Sequence, residues 1–295
     1  MKSTDLHIHS NYSSDGELGI PEILAGCSDR HIACFSLTDH NSVKGIEEAI
    51  LPARQAGIDF IPGIEIDCNY NGTDLHVLGY GIDWRSRDFS RLEEAVAGKV
   101  MESFAEMIHR INRAGFRIEA APVLARANSK LPTAELIAEV MLSDKRYDSP
   151  ALIPYQPGGA RSDMPYINFY LDYCAQGRPA FVPVPYISYR EALEMIRDNG
   201  GIPVVAHPGL NLKGKESVAE ELLDRGAEGL EVFNNYHSPE QMAYFASVIQ
   251  KRDAIMTCGS DFHGKTKPLI KMGRFKSLPA FEKYLKHSVR QLIRP

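Results

Sequence analysis

Asp5-Leu6-His7-Ile8-His9 decides how the rest of the 295-residue chain is read. Polar and apolar residues alternate there, the period of a strand with one buried face. Side chains two apart share a face, so Asp5, His7 and His9 are expected on one side and Leu6 and Ile8 on the other. Two imidazoles on one rigid strand make half of a metal site, because neutral histidine is a common ligand whose direction the backbone fixes. Taken alone, the same pattern also describes a surface strand with two solvated histidines. The residues further along shift the balance.

Working outward, an apolar run at Ala33–Leu37 ends in Thr38-Asp39-His40-Asn41, and the run from Ile58 to Ile66 delivers Glu65, with Pro62-Gly63 read as a bend or bulge. Leu75 to Tyr80 is a fourth strand and carries His76. Helices are expected from Pro21 to about Arg30 and from about Val43 to Gly57. After residue 87 the alternation stops. A charged helix to Arg113, another over Leu131–Leu142 and an extended loop over 149–165 read as an inserted, mainly helical module spanning 87–182. The rhythm returns at Ser188, where Ser188/Glu191 and Ser238/Gln241 form capping boxes ahead of two helices. Strands follow that end in His207, in Glu231-Val232-Phe233-Asn234 and in Ser260-Asp261-Phe262-His263. Roughly seven β-α repeats on this pattern point to an α/β, mainly parallel architecture, with residues 1–86 and 183–295 forming one discontinuous unit. In barrels of that kind, function sits at the carboxyl ends of the strands. His7, His9, Asp15, His40, Glu65, His76, His207, Asp261 and His263 all fall at or just after strand ends, or on a strand beside them. They form a nitrogen and oxygen donor set without sulfur, suited to clustered divalent ions (Zn, Mn or Fe) rather than to one structural zinc.

Composition narrows the field. A net charge of −5 does not favour a broad nucleic-acid face. The five cysteines lack CxxC spacing and read as buried thiols in a reducing compartment. Neither a signal-peptide pattern nor a bilayer-spanning apolar run is present, so the expectation is a cytoplasmic protein without a membrane partner.

Five of these segments, Asp5–His9, Thr38–Asn41, Pro62–Glu65, Ala206-His207-Pro208 and Gly259–His263, resemble in order the motifs of the PHP (polymerase and histidinol phosphatase) phosphoesterases. The resemblance covers 1–83 and about 183–295. It implies a distorted (β/α)7 TIM-like barrel with two or three divalent ions at its rim. Carried over position by position, it implies one ion on His7, His9, Glu65 and Asp261, and a second bridged by Glu65 and held by His76 and His207. Asp15, His40 and His263 would hold a third; some relatives have histidine at the Asp15 position. His237 matches a histidine that relatives keep near the substrate phosphate, as a phosphate contact or leaving-group acid.

The expected reaction is hydrolysis of the phosphate ester of a small molecule (nucleotide, sugar phosphate or cyclic phosphate) by a metal-bridging hydroxide. Substrate choice is expected to come from the insertion, with Arg161, Arg178, Lys130 and Lys213 as candidate phosphate contacts. Small nucleotide-cleaving relatives carry an Arg-Pro-His-type motif where this chain has Lys130-Leu131-Pro132-Thr133-Ala134, a departure that counts against a 3',5'-bisphosphonucleotide or RNA-end specificity. The alternatives are a proofreading-type 3'-5' exonuclease, for which no stable nucleic-acid complex is expected from the charge balance, and a metal-bound regulatory domain without chemistry. The sequence leaves the oligomeric state open.

Overall fold

In the computed structural model Leu6 and Ile8 are fully buried, and so are His7 and His9. The alternation therefore separates two buried faces rather than an inside from a solvent side, as in a parallel sheet covered by helices. Residues 3–128 and 130–293 are described. Strands β1 (Ser3–Ile8), β2 (Ile32–Leu37), β3 (Asp59–Tyr70), β4 (Thr73–Tyr80), β5 (Ile187–Ser188), β6 (Ile202–Val205), β7 (Gly229–Phe233) and β8 (Ile255–Cys258) form one sheet. Its order is β1-β2-β3-β4-β6-β7-β8, with the short β5 paired to β3. The helices are α1 (Ile20–Asp29), α2 (Ile46–Gln55), α3 (Arg87–Arg113), α4 (Ala120–Ala127), α5 (Ala134–Ser143), α6 (Pro165–Phe169), α7 (Tyr189–Asp198), α8 (Pro208–Asn211), α9 (Val218–Asp224), α10 (Pro239–Arg252) and α11 (Glu282–Leu292).

One departure from the expected repeat lies between β3 and β4. They form a hairpin with no helix between them, and β4 runs antiparallel to both β3 and β6. The cause is local: Asn71 and Gly72 at the turn have φ of 50° and 81°, the left-handed pair that a two-residue hairpin requires. The other ladders are parallel. Pro62-Gly63 is not a bulge. Pro62 closes the pairing with Leu37 of β2 and Gly63 opens the pairing with Tyr80 of β4. A Cβ at Gly63 would stand 2.3 Å from Ser36 Oγ, so glycine is needed for the close approach. The two end strands meet just past β1 and β8. There Ile8 bridges Phe262, His9 N donates to Phe262 O and Asp261 N donates to His7 O, each at 2.9 Å.

Both capping boxes form: Ser188 Oγ accepts from Glu191 N at 3.2 Å, and Ser238 Oγ accepts from Gln241 N at 3.2 Å. The main core packs Ile64, Ile66, Val205, Val232 and Phe245 with residues of α7 and α10. The helices α3 to α6 enclose an apolar cluster of their own, including Phe104, Ile111, Phe116, Ile137, Met141 and Phe169. The long α3 serves both, since Phe89, Leu92 and Val96 belong to the sheet's core. The first half of α3 thus packs with the sheet, and its second half with the helical cluster. One further local expectation fails: the segment 149–165 carries a 3-10 turn over Pro150–Tyr155 with Leu152 and Tyr155 buried.

Candidate metal centre

Parallel strands bring their carboxyl ends to one side, and four such ends plus the β3–β4 hairpin supply the site. β1 delivers His7 and His9; the turn after β2 delivers His40, which bridges to Glu65 of β3. Asp67 and His76 face each other across β3 and β4. His207 follows β6, and Asp261 and His263 follow β8. Two of these are held in the left-handed region, His207 at φ 25° and Asp261 at φ 58°, conformations that non-glycine residues adopt at some cost in strain.

The nine donors meet. His7 Nε2 lies 3.0 Å and His9 Nε2 3.1 Å from Glu65 Oε2, and the same two nitrogens lie 3.3 and 3.2 Å from Asp261 Oδ1. The other oxygen of Glu65, Oε1, lies 2.9 Å from His76 Nδ1 and 3.0 Å from His207 Nε2. Asp15 Oδ2 is 3.1 Å from His263 Nε2 and 3.7 Å from His40 Nε2. Glu65 thus stands between two groups; a third joins His9, Asp15, His40 and His263, and a fourth joins His40, Asp67 and His76. Lys267 was not anticipated; its Nζ donates to Asp261 Oδ2 at 2.5 Å, and the Tyr236 hydroxyl donates to the same oxygen.

A ring of outer partners fixes the imidazoles, and the sequence reading missed it. Glu231 is fully buried; its Oε1 accepts from His7 Nδ1 at 3.1 Å and its Oε2 from His207 N at 2.8 Å. Asn211 Oδ1 accepts from His207 Nδ1 at 2.6 Å, Asp67 Oδ1 from His40 Nδ1 at 3.0 Å, and the Asp261 carbonyl from His263 Nδ1 at 2.9 Å. These contacts assign the ring proton to Nδ1, which leaves the Nε2 lone pairs facing inward. Asp67 also accepts from Asn41 Nδ2 at 2.8 Å. Two signals were available: Asp67 lies two residues beyond Glu65 on one strand face, and Asn211 lies one helical turn after His207. Asp5 is not part of the cluster. It accepts from Ser260 N, Ser260 Oγ and Gly273 N, and burial pushes its carboxyl up to about 6.

Electrostatics oppose burial here. Burial alone would depress His7, but the Glu65, Glu231 and Asp261 carboxylates hold it well above the usual histidine value. His40 and His76 are raised on the same balance, by Glu65 and Asp67. Glu65 is driven well below the carboxylate range by His7, His40 and His76 despite its burial. Buried carboxylates like these are balanced by cations, either protons on the imidazoles or bound metal. The donor set fits divalent ions on two further counts. Imidazole Nε2 atoms of His7 and His9 face each other at 3.1 Å. Buried His9 Nδ1 and His263 Nε2 have no hydrogen-bond partner.

The remaining candidates sit elsewhere. His237 is fully buried, its Nδ1 donating to Val232 O at 2.9 Å and its Nε2 accepting from Gly209 N at 2.8 Å. Both nitrogens are occupied by backbone, so the ring is not placed as a phosphate contact or leaving-group acid. Arg161 makes a two-pronged pair with Asp172 inside the insertion, at 2.9 and 3.0 Å, which takes up the fork meant for phosphate. Arg178 and Lys213 are exposed, and neither lines the cavity beside Asp15. Lys130 does line that cavity, but its Nζ donates to two backbone carbonyls, Ser13 O at 3.1 Å and Gly16 O at 2.9 Å.

An α/β scaffold with imidazoles and carboxylates crowded at one rim defines a protein with a side-chain cluster able to bind metal. Comparison places a known family on part of it: residues 5–148 match the family model described as PHP domain. A 3',5'-nucleoside bisphosphate phosphatase of Chromobacterium violaceum is 28% identical over 95% of this chain and 93% of its own. A 5'-3' exoribonuclease of Haemophilus influenzae is 26% identical over 89% of this chain and 90% of its own. A solved structure described as an amidohydrolase from Chromobacterium violaceum, at 24% identity, covers 97% of this chain and 96% of that one with a TM-score of 0.77. At that identity the structural likeness speaks for the fold.

Proposed function

We propose that this chain is a metal-dependent phosphoesterase that hydrolyses phosphate esters of small phosphorylated molecules. The observation that carries the reading is the division of Glu65, whose two oxygens serve two separate groups of imidazoles. His7, His9, Glu65 and Asp261 would hold one ion, Glu65, His76 and His207 a second, and Asp15, His40 and His263 a third. The oxygen and nitrogen donors suit Mn, Fe or Zn. Bound ions would supply Lewis-acid activation of water and neutralise the non-bridging phosphoryl oxygens. The protein's own part is orientation: Glu231, Asn211 and Asp67 each keep a proton on the outer nitrogen of an imidazole, and Lys267 with Tyr236 occupies the outer oxygen of Asp261. We read the sheet as a distorted barrel, supported by the Ile8–Phe262 bridge between its end strands, and 87–182 as its insertion.

A cavity of about 280 Å³ adjoins Asp15 and is lined by Arg126, Lys130, Glu135, Tyr166 and Lys265. Its size and mixed charge support a small substrate with a second polar or anionic group. The departure at Lys130–Ala134 weighs against a nucleoside 3',5'-bisphosphate, whereas the name of one relative weighs towards it. The second reading is a nuclease acting on an RNA end, favoured by the relatives named 5'-3' exoribonuclease. Among the described residues no helix is long and apolar enough to cross a membrane. All five cysteines are buried and unpaired, which supports a reducing, cytoplasmic location.

The test is turnover of a panel after loading with manganese: nucleoside 3',5'-bisphosphates, sugar phosphates, cyclic phosphate esters and 5'-phosphorylated oligoribonucleotides. Cleavage of a small ester that a chelator abolishes supports the first reading. Preference for the oligonucleotides moves it to the second.

A further inference from the structure

The loop carrying Asp15 is tied both by its own residues and by residues from distant parts of the chain. Its neck is closed by Asn11 N donating to Leu18 O at 2.8 Å, and Thr266 Oγ1 donates to Asp15 O at 2.8 Å. Within the loop, Ser13 Oγ donates to Asp15 Oδ1 at 2.6 Å, which leaves Oδ2 for His263 and His40. Ser13 N also donates to Ser10 O at 3.1 Å, the Tyr12 hydroxyl to Glu48 Oε2 at 3.0 Å and Lys265 N to Glu17 Oε2 at 2.5 Å, and a further tie comes from the insertion, more than a hundred residues away. Lys130 Nζ donates to the carbonyls of Ser13 at 3.1 Å and Gly16 at 2.9 Å, one on each side of Asp15. Gly16 packs against the Ser10 carbonyl, where only glycine fits, since a Cβ would lie 2.0 Å from Ser10 O.

We propose that Lys130 is a positioning residue: it ties the insertion to the Asp15 loop and so sets the affinity of the third group of ligands, Asp15, His40 and His263. An ammonium held by two carbonyls spends its donors on protein rather than on substrate, and fixes the residues flanking Asp15 in one geometry. The insertion then does more than line a substrate cavity; its docking completes part of the metal centre. This rests on the three-ion reading above, and its test separates the two.

The experiment is manganese titration of the full-length wild type, K130A, K130M and K130R, followed by metal content, Mn(II) electron paramagnetic resonance and steady-state kinetics. The wild type should take up three ions. K130A and K130M should bind the last of them at least tenfold more weakly with the first two unchanged, the size expected when an outer-shell partner is lost. K130R, which keeps a donor, should recover most of that affinity. D15A should lose the same ion, and adding K130A to it should cost nothing further. K130M preserves the aliphatic stem, so a folding failure in K130A alone leaves the test intact. An unchanged third affinity in K130M, with KM raised, would make Lys130 a substrate contact and overturn the proposal. A wild type that takes up only two ions would remove the three-ion reading, and this proposal with it.

Discussion

The Nε2 atoms of His7 and His9 face each other across 3.1 Å inside a fully buried site. Two lone pairs at that distance repel unless a proton or a metal ion lies between them, so protons and metal compete for one place. His7, His40 and His76 are raised above the ordinary histidine value, because nearby carboxylates outweigh burial. For a raised histidine, the stability gained from the proton is complete below 6.5 and is lost as pH climbs through the folded value. The metal-free protein should therefore lose stability above neutral pH, while the loaded protein does not depend on those protons. The rise in Tm on adding manganese should be small at pH 6 and larger at pH 8. A rise that shrinks with pH would contradict this.

Glu231 is expected to matter nearly as much as a ligand. Replacing it with Ala removes the acceptor for His7 Nδ1 and His207 N at once. Metal affinity in E231A should fall about 10–100-fold, the usual loss for such a partner. Calorimetric titration reads this directly, and an affinity within threefold of wild type would assign Glu231 to packing alone.

His237 should behave as a structural residue. H237A strands the Gly209 amide and the Val232 carbonyl in a buried setting, at a cost of about 1–3 kcal/mol for each group left unpaired. Tm should drop clearly, with kcat of the folded fraction changed less than about tenfold. A large loss of kcat at unchanged Tm would restore the role in phosphate chemistry. G209A should destabilise through the same contact, since its Cβ would stand 2.5 Å from His237 Cδ2.

Arg161 and Asp172 are 38% and 34% exposed, so solvent screens their pair to no more than about 1 kcal/mol. R161A should keep the wild-type KM on whichever phosphate ester the enzyme turns over. A severalfold rise in KM would show that Arg161 leaves Asp172 for substrate.

Most of the donors that converge were legible because they lie at or just past a strand end inside a short motif, and parallel strands carry their ends to one place; Glu65 and His76 instead sit within β3 and β4. The helix starts at Ser188 and Ser238 were legible for a similar reason, since a capping box is complete within four residues. The Asn71-Gly72 hairpin carries a plain local signal that the regular alternation obscured. Other features have no local signature. Glu231 sits in an apolar strand, and only the fold shows that it meets His7. His237 reaches an amide 28 residues back in the chain. Lys130 looks like a surface cation until the insertion is docked against the loop of Asp15.

Metal stoichiometry is the most direct test, because the account depends on Glu65 joining two groups of ligands. Wild-type protein dialysed against manganese should retain at least two ions per chain, and Glu65→Ala should lose both while remaining folded. Wild type that retains no ion, or E65A that retains as many as wild type, would contradict the assignment.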